Sequence, residues 1–145
     1  MERTQKGASA ENARDILIPI GAGMLRGALR VPAAAGGVVL LVQTSAEVQT
    51  LLDEQALAQQ LGSAGLGILQ LALLTPRESM IDQQTRHLRF DLPLLARRLV
   101  TVAGWFALQP DLASLRLGFC GASTGAGVAL LAAASLGSRL GAVVS

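Results

Sequence analysis

The sequence contains no tyrosine, one tryptophan, three phenylalanines, one cysteine, one histidine and one lysine. Each scarcity removes a class of function. A single cysteine excludes an internal disulfide and a cysteine-based metal cluster, and no metal or cofactor is expected. Few aromatics and a net charge of +2 carried by scattered arginines give neither a stacking platform nor a basic patch, so nucleic acid is not an expected partner. Charged residues make up 15% of the chain against 51% hydrophobic, with a mean hydropathy of +0.48. At 145 residues this composition suits one α/β domain whose parallel strands are buried on both faces. Residues 1–14 are polar and lack the apolar run of a signal peptide. They read as a solvated tail ahead of a domain spanning 15–145, and cytoplasm is the expected compartment.

What the chain does have is Leu115–Ser138, LRLGFCGASTGAGVALLAAASLGS. A short apolar strand passes through Cys120 into Gly121-Ala122-Ser123-Thr124-Gly125, and an Ala/Leu-rich helix follows. Strand, tight glycine turn and helix form the setting in which G-x-S-x-G makes a nucleophile elbow. There a strained turn lifts the serine hydroxyl clear of the sheet, and Gly121 and Gly125 leave room for it. Ser123 is the candidate nucleophile, and the N–H of Thr124 is a candidate oxyanion donor at the helix N-terminus. The same letters fit two other readings. GASTGAG matches G-x-x-x-G-x-G, the pyrophosphate-binding turn of short-chain dehydrogenases. The uncharged stretch from Leu117 to Ser138 is also long enough for a membrane helix, but closely spaced glycines, a Ser-Thr pair and an alanine-dominated composition argue against a membrane.

Along the chain, Asp15–Ile20 and Met24–Val31 read as strands of an antiparallel hairpin. In the second, Leu25, Gly27 and Leu29 alternate with Arg26, Ala28 and Arg30. Val38–Val42 reads as a central buried strand. A helix follows over about Val48–Ala64, with Leu57, Leu61 and Ala64 on one face and Gly65 ending it, and Leu66–Leu73 is the next strand. Thr75–Arg89 reads as a polar loop in which the lone His87 is solvated. Asp91 is placed to cap a helix with Pro93 in its first turn. Leu92, Leu95, Leu99, Val102 and Phe106 then mark its inner stripe, with Arg97 and Arg98 outside and Trp105 at the edge. Gln109-Pro110-Asp111 closes that helix, and a last strand begins at Gly141.

This order, with the serine turn after the fifth strand, resembles the first half or more of an α/β-hydrolase. It is most similar to bacterial dienelactone-hydrolase-like proteins, some of them fused to phosphoribosyltransferase domains. The residues that carry the likeness are Leu73-Leu74-Thr75-Pro76 with Glu78, then Leu88-Arg89-Phe90-Asp91 with Leu94-Leu95-Ala96 and Arg98-Leu99. Gly118 and Gly121–Ala126 complete it, over residues 20–145. The dehydrogenase reading fits less well, since its glycine turn belongs near the start of the domain and its catalytic tyrosine is absent. At the end of the third strand relatives carry His-Gly, where this chain has Gln43-Thr44-Ser45. Thr44 is β-branched where glycine suits the turn. Ser45 is the residue whose N–H would supply a second oxyanion donor.

The resemblance implies hydrolysis of esters or lactones through a Ser123 acyl-enzyme. In this fold an acid and then a histidine follow the nucleophile, and no Asp, Glu or His follows Ser123 in the 145 residues. The expectation is therefore an incomplete α/β-hydrolase fold, cut after its sixth strand, that holds the nucleophile without acid or base. Its partner is a small-molecule substrate, with a second copy or another chain over the open sheet edge. The alternatives are a catalytically inactive remnant acting as an interaction module and, behind it, a dinucleotide-binding domain.

Overall fold

The computed structural model describes residues 13–21, 23–43 and 48–144. Among the described residues the elements follow in the order β1 (Ala13–Ile20), β2 (Gly23–Arg30), β3 (Gly37–Gln43), α1 (Val48–Ser63), β4 (Gly67–Ala72), α2 (Pro76–Thr85), α3 (Leu92–Leu108), β5 (Arg116–Cys120), α4 (Thr124–Leu136) and β6 (Ala142–Val144). Single 3-10 turns lie at Leu88–Phe90 and Gly137–Arg139.

The strands form one sheet in the order β1-β2-β4-β3-β5-β6. The hairpin pairs antiparallel from Ala13↔Arg30 to Ile20↔Gly23, and β2 continues antiparallel onto β4. From there β4, β3, β5 and β6 are all parallel, so their C-terminal ends share one edge of the sheet. The alternation expected in β2 is present: Leu25 and Leu29 are buried while Arg26, Ala28 and Arg30 are exposed. β3 is buried on both faces, as a continuous run of β-branched and leucine residues in a central strand requires.

One face of the sheet carries α3 and α4. Leu29, Leu40, Leu69 and Phe119 meet Leu95, Leu99 and Val102 of α3 and Val128 and Ala132 of α4 in one apolar cluster. Each buried leucine, valine or phenylalanine of the cluster contributes about 1.5–3 kcal/mol on leaving water. α1 covers the other face, where Ala58 shares a crevice with Ala28, Ile68 and Gln70 and Gly62 rests against Ile68. Among the described residues no helix is long and apolar enough to cross a membrane.

Three expectations need correction. The strand expected from Asp15 begins at Ala13. The segment expected to be a polar loop, Thr75–Arg89, is instead mostly α2 and a 3-10 turn. Pro76 opens α2, and the Thr75 side chain accepts from the Glu78 N–H (3.2 Å) while Glu78 accepts from the Thr75 N–H (2.9 Å). That reciprocal capping box starts a helix that has no apolar face of its own. The third correction concerns Arg98, expected outside with Arg97. Arg97 is exposed, but Arg98 is buried, 7% accessible, because a carboxylate and a carbonyl meet it inside.

Candidate active site

The corner between β5 and α4 is set by two absent side chains. A Cβ on Gly121 would collide with the Gly125 carbonyl, and one on Gly125 would lie 2.9 Å from the Val42 carbonyl oxygen of β3. Only glycine lets the chain reverse this tightly and seat the helix on the neighbouring strand. Gly121 N–H donates to Val144 O (3.0 Å), Gly125 N–H to Ala122 O (2.9 Å) and Ala126 N–H to Ser123 O (3.0 Å), which fix the turn.

Ser123 sits at the apex with φ 58° and ψ −126°. Among the described residues it and Arg86 are the non-glycine residues at positive φ. An L-residue in such a conformation costs of order 1–3 kcal/mol and persists only where its surroundings impose it. The residue is exposed, and although it stands at the N-cap of α4 its side chain makes no capping hydrogen bond. Thr124 is the first residue of α4, in the turn whose N–H groups have no intrahelical acceptor. An oxygen that gains negative charge beside Ser123 would therefore meet a helix N-terminus. Thr44 and Ser45, and with them the second oxyanion donor, lie outside the described residues. His87 is exposed, between α2 and the 3-10 turn.

Beside the corner along the same sheet edge, β3 ends at Gln43 and β4 at Ala72, paired in register. Leu73 N–H reaches back to Gln43 O at 3.4 Å. Two carboxylates on α2 then hold the connection down. Glu78 receives both Nη atoms of Arg98, Nη1 to Oε1 at 2.5 Å and Nη2 to Oε2 at 2.6 Å, and Nη1 also donates to Leu73 O at 2.9 Å. The Arg98 hydrogen bonds hold the Glu78 carboxyl below its ordinary range. They outweigh burial, with the Thr75 contacts adding to the lowering. Asp82, one helical turn on, is 2% accessible and accepts from the Arg89 N–H (3.1 Å) and Nε (2.7 Å). Burial is the largest single influence on Asp82 and pushes its carboxyl up. The Arg89 bonds and charge, with the Leu88 backbone, prevail and hold it below the usual range.

Neither ion pair is expected from the sequence, although Glu78, Arg89 and Arg98 are among the residues that carry the resemblance. A usable signal was present for Arg98. It lies three residues after Leu95 and four before Val102, on the margin of the buried stripe rather than opposite it.

No family model matches the chain. Two curated proteins from two strains of Mycobacterium tuberculosis, each named as a phosphoribosyl transferase, are 44% identical to it over 119 residues. That match covers 82% of this chain and 26% of each relative, so the chain spans about a quarter of their length. Among solved structures, a dienelactone hydrolase from Anabaena variabilis superposes with a TM-score of 0.84 at 40% identity, over 91% of this chain and 62% of that one. Est1E from Butyrivibrio proteoclasticus superposes at 0.69 with 16% identity, covering 89% of this chain and 49% of Est1E. An alpha-beta serine hydrolase homologue from Coxiella burnetii superposes at 0.65 with 17% identity, covering 86% and 58%. The last two likenesses are likenesses of fold. The fold is that of the α/β-hydrolases, and over most of its length the chain is similar to part of a dienelactone hydrolase.

Proposed function

We propose that this chain carries the nucleophile and part of the oxyanion hole of a serine hydrolase acting on small esters or lactones. The backbone of Ser123 carries the reading. A residue held at φ 58° and ψ −126°, exposed and not spent on capping its helix, is a hydroxyl presented for chemistry. In this reading Ser123 Oγ attacks the substrate carbonyl, and the Thr124 N–H donates to the oxygen as it becomes an oxyanion. Ser45 N–H is the second donor. The adduct collapses as the ester or lactone C–O bond breaks, and the alcohol oxygen takes up the serine's proton by way of the base. Water then cleaves the acyl-enzyme to release the acid and restore Ser123.

A serine hydroxyl is a weak nucleophile at neutral pH until a base takes its proton. In this proposal the acid and the histidine belong to sequence beyond Ser145 in a longer protein, in the chain order nucleophile, acid, histidine. The partial coverage of the 40%-identical dienelactone hydrolase, 62% of its length, is consistent with that division. The protein would act in the cytoplasm on a small molecule, without a cofactor.

The second reading is a non-catalytic interaction module. It is favoured by β6, a short edge strand whose Val144 is 60% exposed and which a second copy or a partner chain would cover. A fluorophosphonate probe separates the two. The hydrolase reading expects slow or no labelling of this chain, fast labelling of a longer product that supplies Asp and His, and none in either after Ser123→Ala. Failure of the longer product to label favours the interaction module. Labelling that survives Ser123→Ala sinks both.

A further inference from the structure

We infer that Arg98 is a positioning residue for Ser123, acting through the ends of β4 and β3. Its effect on the position of the corner stands by itself, and its effect on rate rests on the hydrolase reading above. A buried ion pair is seldom retained for stability, because desolvation offsets most of the Coulomb gain and an apolar side chain of similar volume often serves as well. What an apolar side chain cannot do is donate a hydrogen bond. Arg98 donates to Leu73 O at 2.9 Å, and Glu78 grips both Nη atoms so that the donor has one orientation.

Leu73 is thereby fixed at three points. Its side chain is fully buried, its N–H is bonded to Gln43 O and its carbonyl is bonded to Arg98. Gln43 is the last residue of β3, and the preceding carbonyl, that of Val42, is the surface against which Gly125 is seated. Gly125 is in the first turn of α4, two residues after Ser123. The path is therefore continuous, from the Arg98 guanidinium through the Leu73 and Gln43 backbone to the floor of the serine corner. α3, which bears Arg98, also packs directly against α4. Interiors packed this closely pass on small displacements rather than absorb them.

The test compares wild-type chain, Arg98→Met, Arg98→Lys, the double variant Glu78→Gln/Arg98→Met, and Val102→Ala. Val102 is fully buried on α3 and makes none of these hydrogen bonds, so it reports the loss of apolar packing, that of α3 on α4 included, without a break in the hydrogen-bonded path. Amide hydrogen exchange is read at 121–126 and at Leu73, in denaturant adjusted to equal global stability. Arg98→Met is expected to speed exchange at the corner roughly tenfold relative to Val102→Ala. Arg98→Lys restores part of the protection by donating to Leu73 O. The double variant, with no unpaired carboxylate, recovers stability but not protection of the corner.

Equal exchange in Arg98→Met and Val102→Ala overturns the inference, as does full protection in the double variant. If Arg98→Met does not fold, Arg98→Lys and the double variant carry the same comparison. Phosphonylation kinetics give the second readout: the limiting rate at Ser123 falls in Arg98→Met while the concentration for half-maximal rate holds. A longer product, supplying Asp and His, that never labels at Ser123 counts against the hydrolase reading and leaves the exchange result to decide this one.

Discussion

Asp82 takes two hydrogen bonds from one residue, Arg89, accepting its backbone N–H at 3.1 Å and its Nε at 2.7 Å. The pair closes the 3-10 turn at Leu88–Phe90 onto α2 and fixes the approach to α3, whose N-cap Asp91 follows immediately. Removing the carboxylate leaves the Arg89 guanidinium, which is 14% accessible, without this counter-charge. Asp82→Ala is expected to cost about 3 kcal/mol, the range for one partner lost from a buried pair. Urea denaturation measures it, and a cost under about 1 kcal/mol would mean the pair is screened as surface pairs are.

The same two carboxylates set an acid limit on stability. Glu78 and Asp82 titrate below their ordinary values of 4.5 and 3.8 in the folded protein. A carboxyl whose folded pKa is depressed lends stability that is complete above its unfolded pKa and is lost as pH falls through the folded one. Melting temperature should therefore hold from neutrality to about pH 5 and decline below it. In Glu78→Gln/Arg98→Met the decline should be shallower, because one of the two titrations is gone. An unchanged slope would place the acid sensitivity elsewhere.

Ser123 is held where glycine would sit more easily. Ser123→Gly is expected to exceed Ser123→Ala in stability by about 1–3 kcal/mol, the cost of an L-residue in a sparsely populated conformation. Neither variant should label with a phosphonate. Equal stability of the two would mean that the corner relaxes when the hydroxyl is removed.

At Gly125 the expectation runs the other way. A methyl group there would sit 2.9 Å from the Val42 carbonyl oxygen, backbone against backbone, with no flexible side chain to yield. Gly125→Ala should cost about 1–3 kcal/mol as an over-packing substitution. It should also slow phosphonylation of Ser123 by more than its effect on stability explains. Gly104, with open space around its Cβ position, is the control: Gly104→Ala, inside α3, should be neutral or stabilising.

The elements most legible in the sequence were those whose burial is apolar and periodic. Val38–Val42 announces a central strand because both its faces are covered, and Leu95, Leu99, Val102 and Phe106 announce α3 because their spacing is helical. α2 is different. PRESMIDQQT buries a single residue, Asp82, so hydrophobic periodicity has nothing to register. The helix was legible instead in Thr75-Pro76-Arg77-Glu78, a capping box with proline at the first position. Arg98 is not legible as a buried residue, because charge usually means solvent and its partner Glu78 stands on a different helix, twenty residues away. The serine corner was legible as a motif. What no spacing conveys is the close approach of Gly125 to β3, which depends on strands brought together from distant parts of the chain.

The strand order has a consequence for the birth of the protein on the ribosome. β2 leaves the exit tunnel with one edge paired to β1, but its other partner is β4, made only after β3 and α1. β3 in turn waits for β4 on one side and for β5, beyond two further helices, on the other. For most of its synthesis the nascent chain therefore carries unsatisfied strand edges, the most apolar of them being Gly37–Gln43. Folding through such parallel, sequence-distant pairings is slow. The N-terminal half should thus depend on chaperone protection until Arg116–Cys120 is translated, and a chain stalled before that point should aggregate.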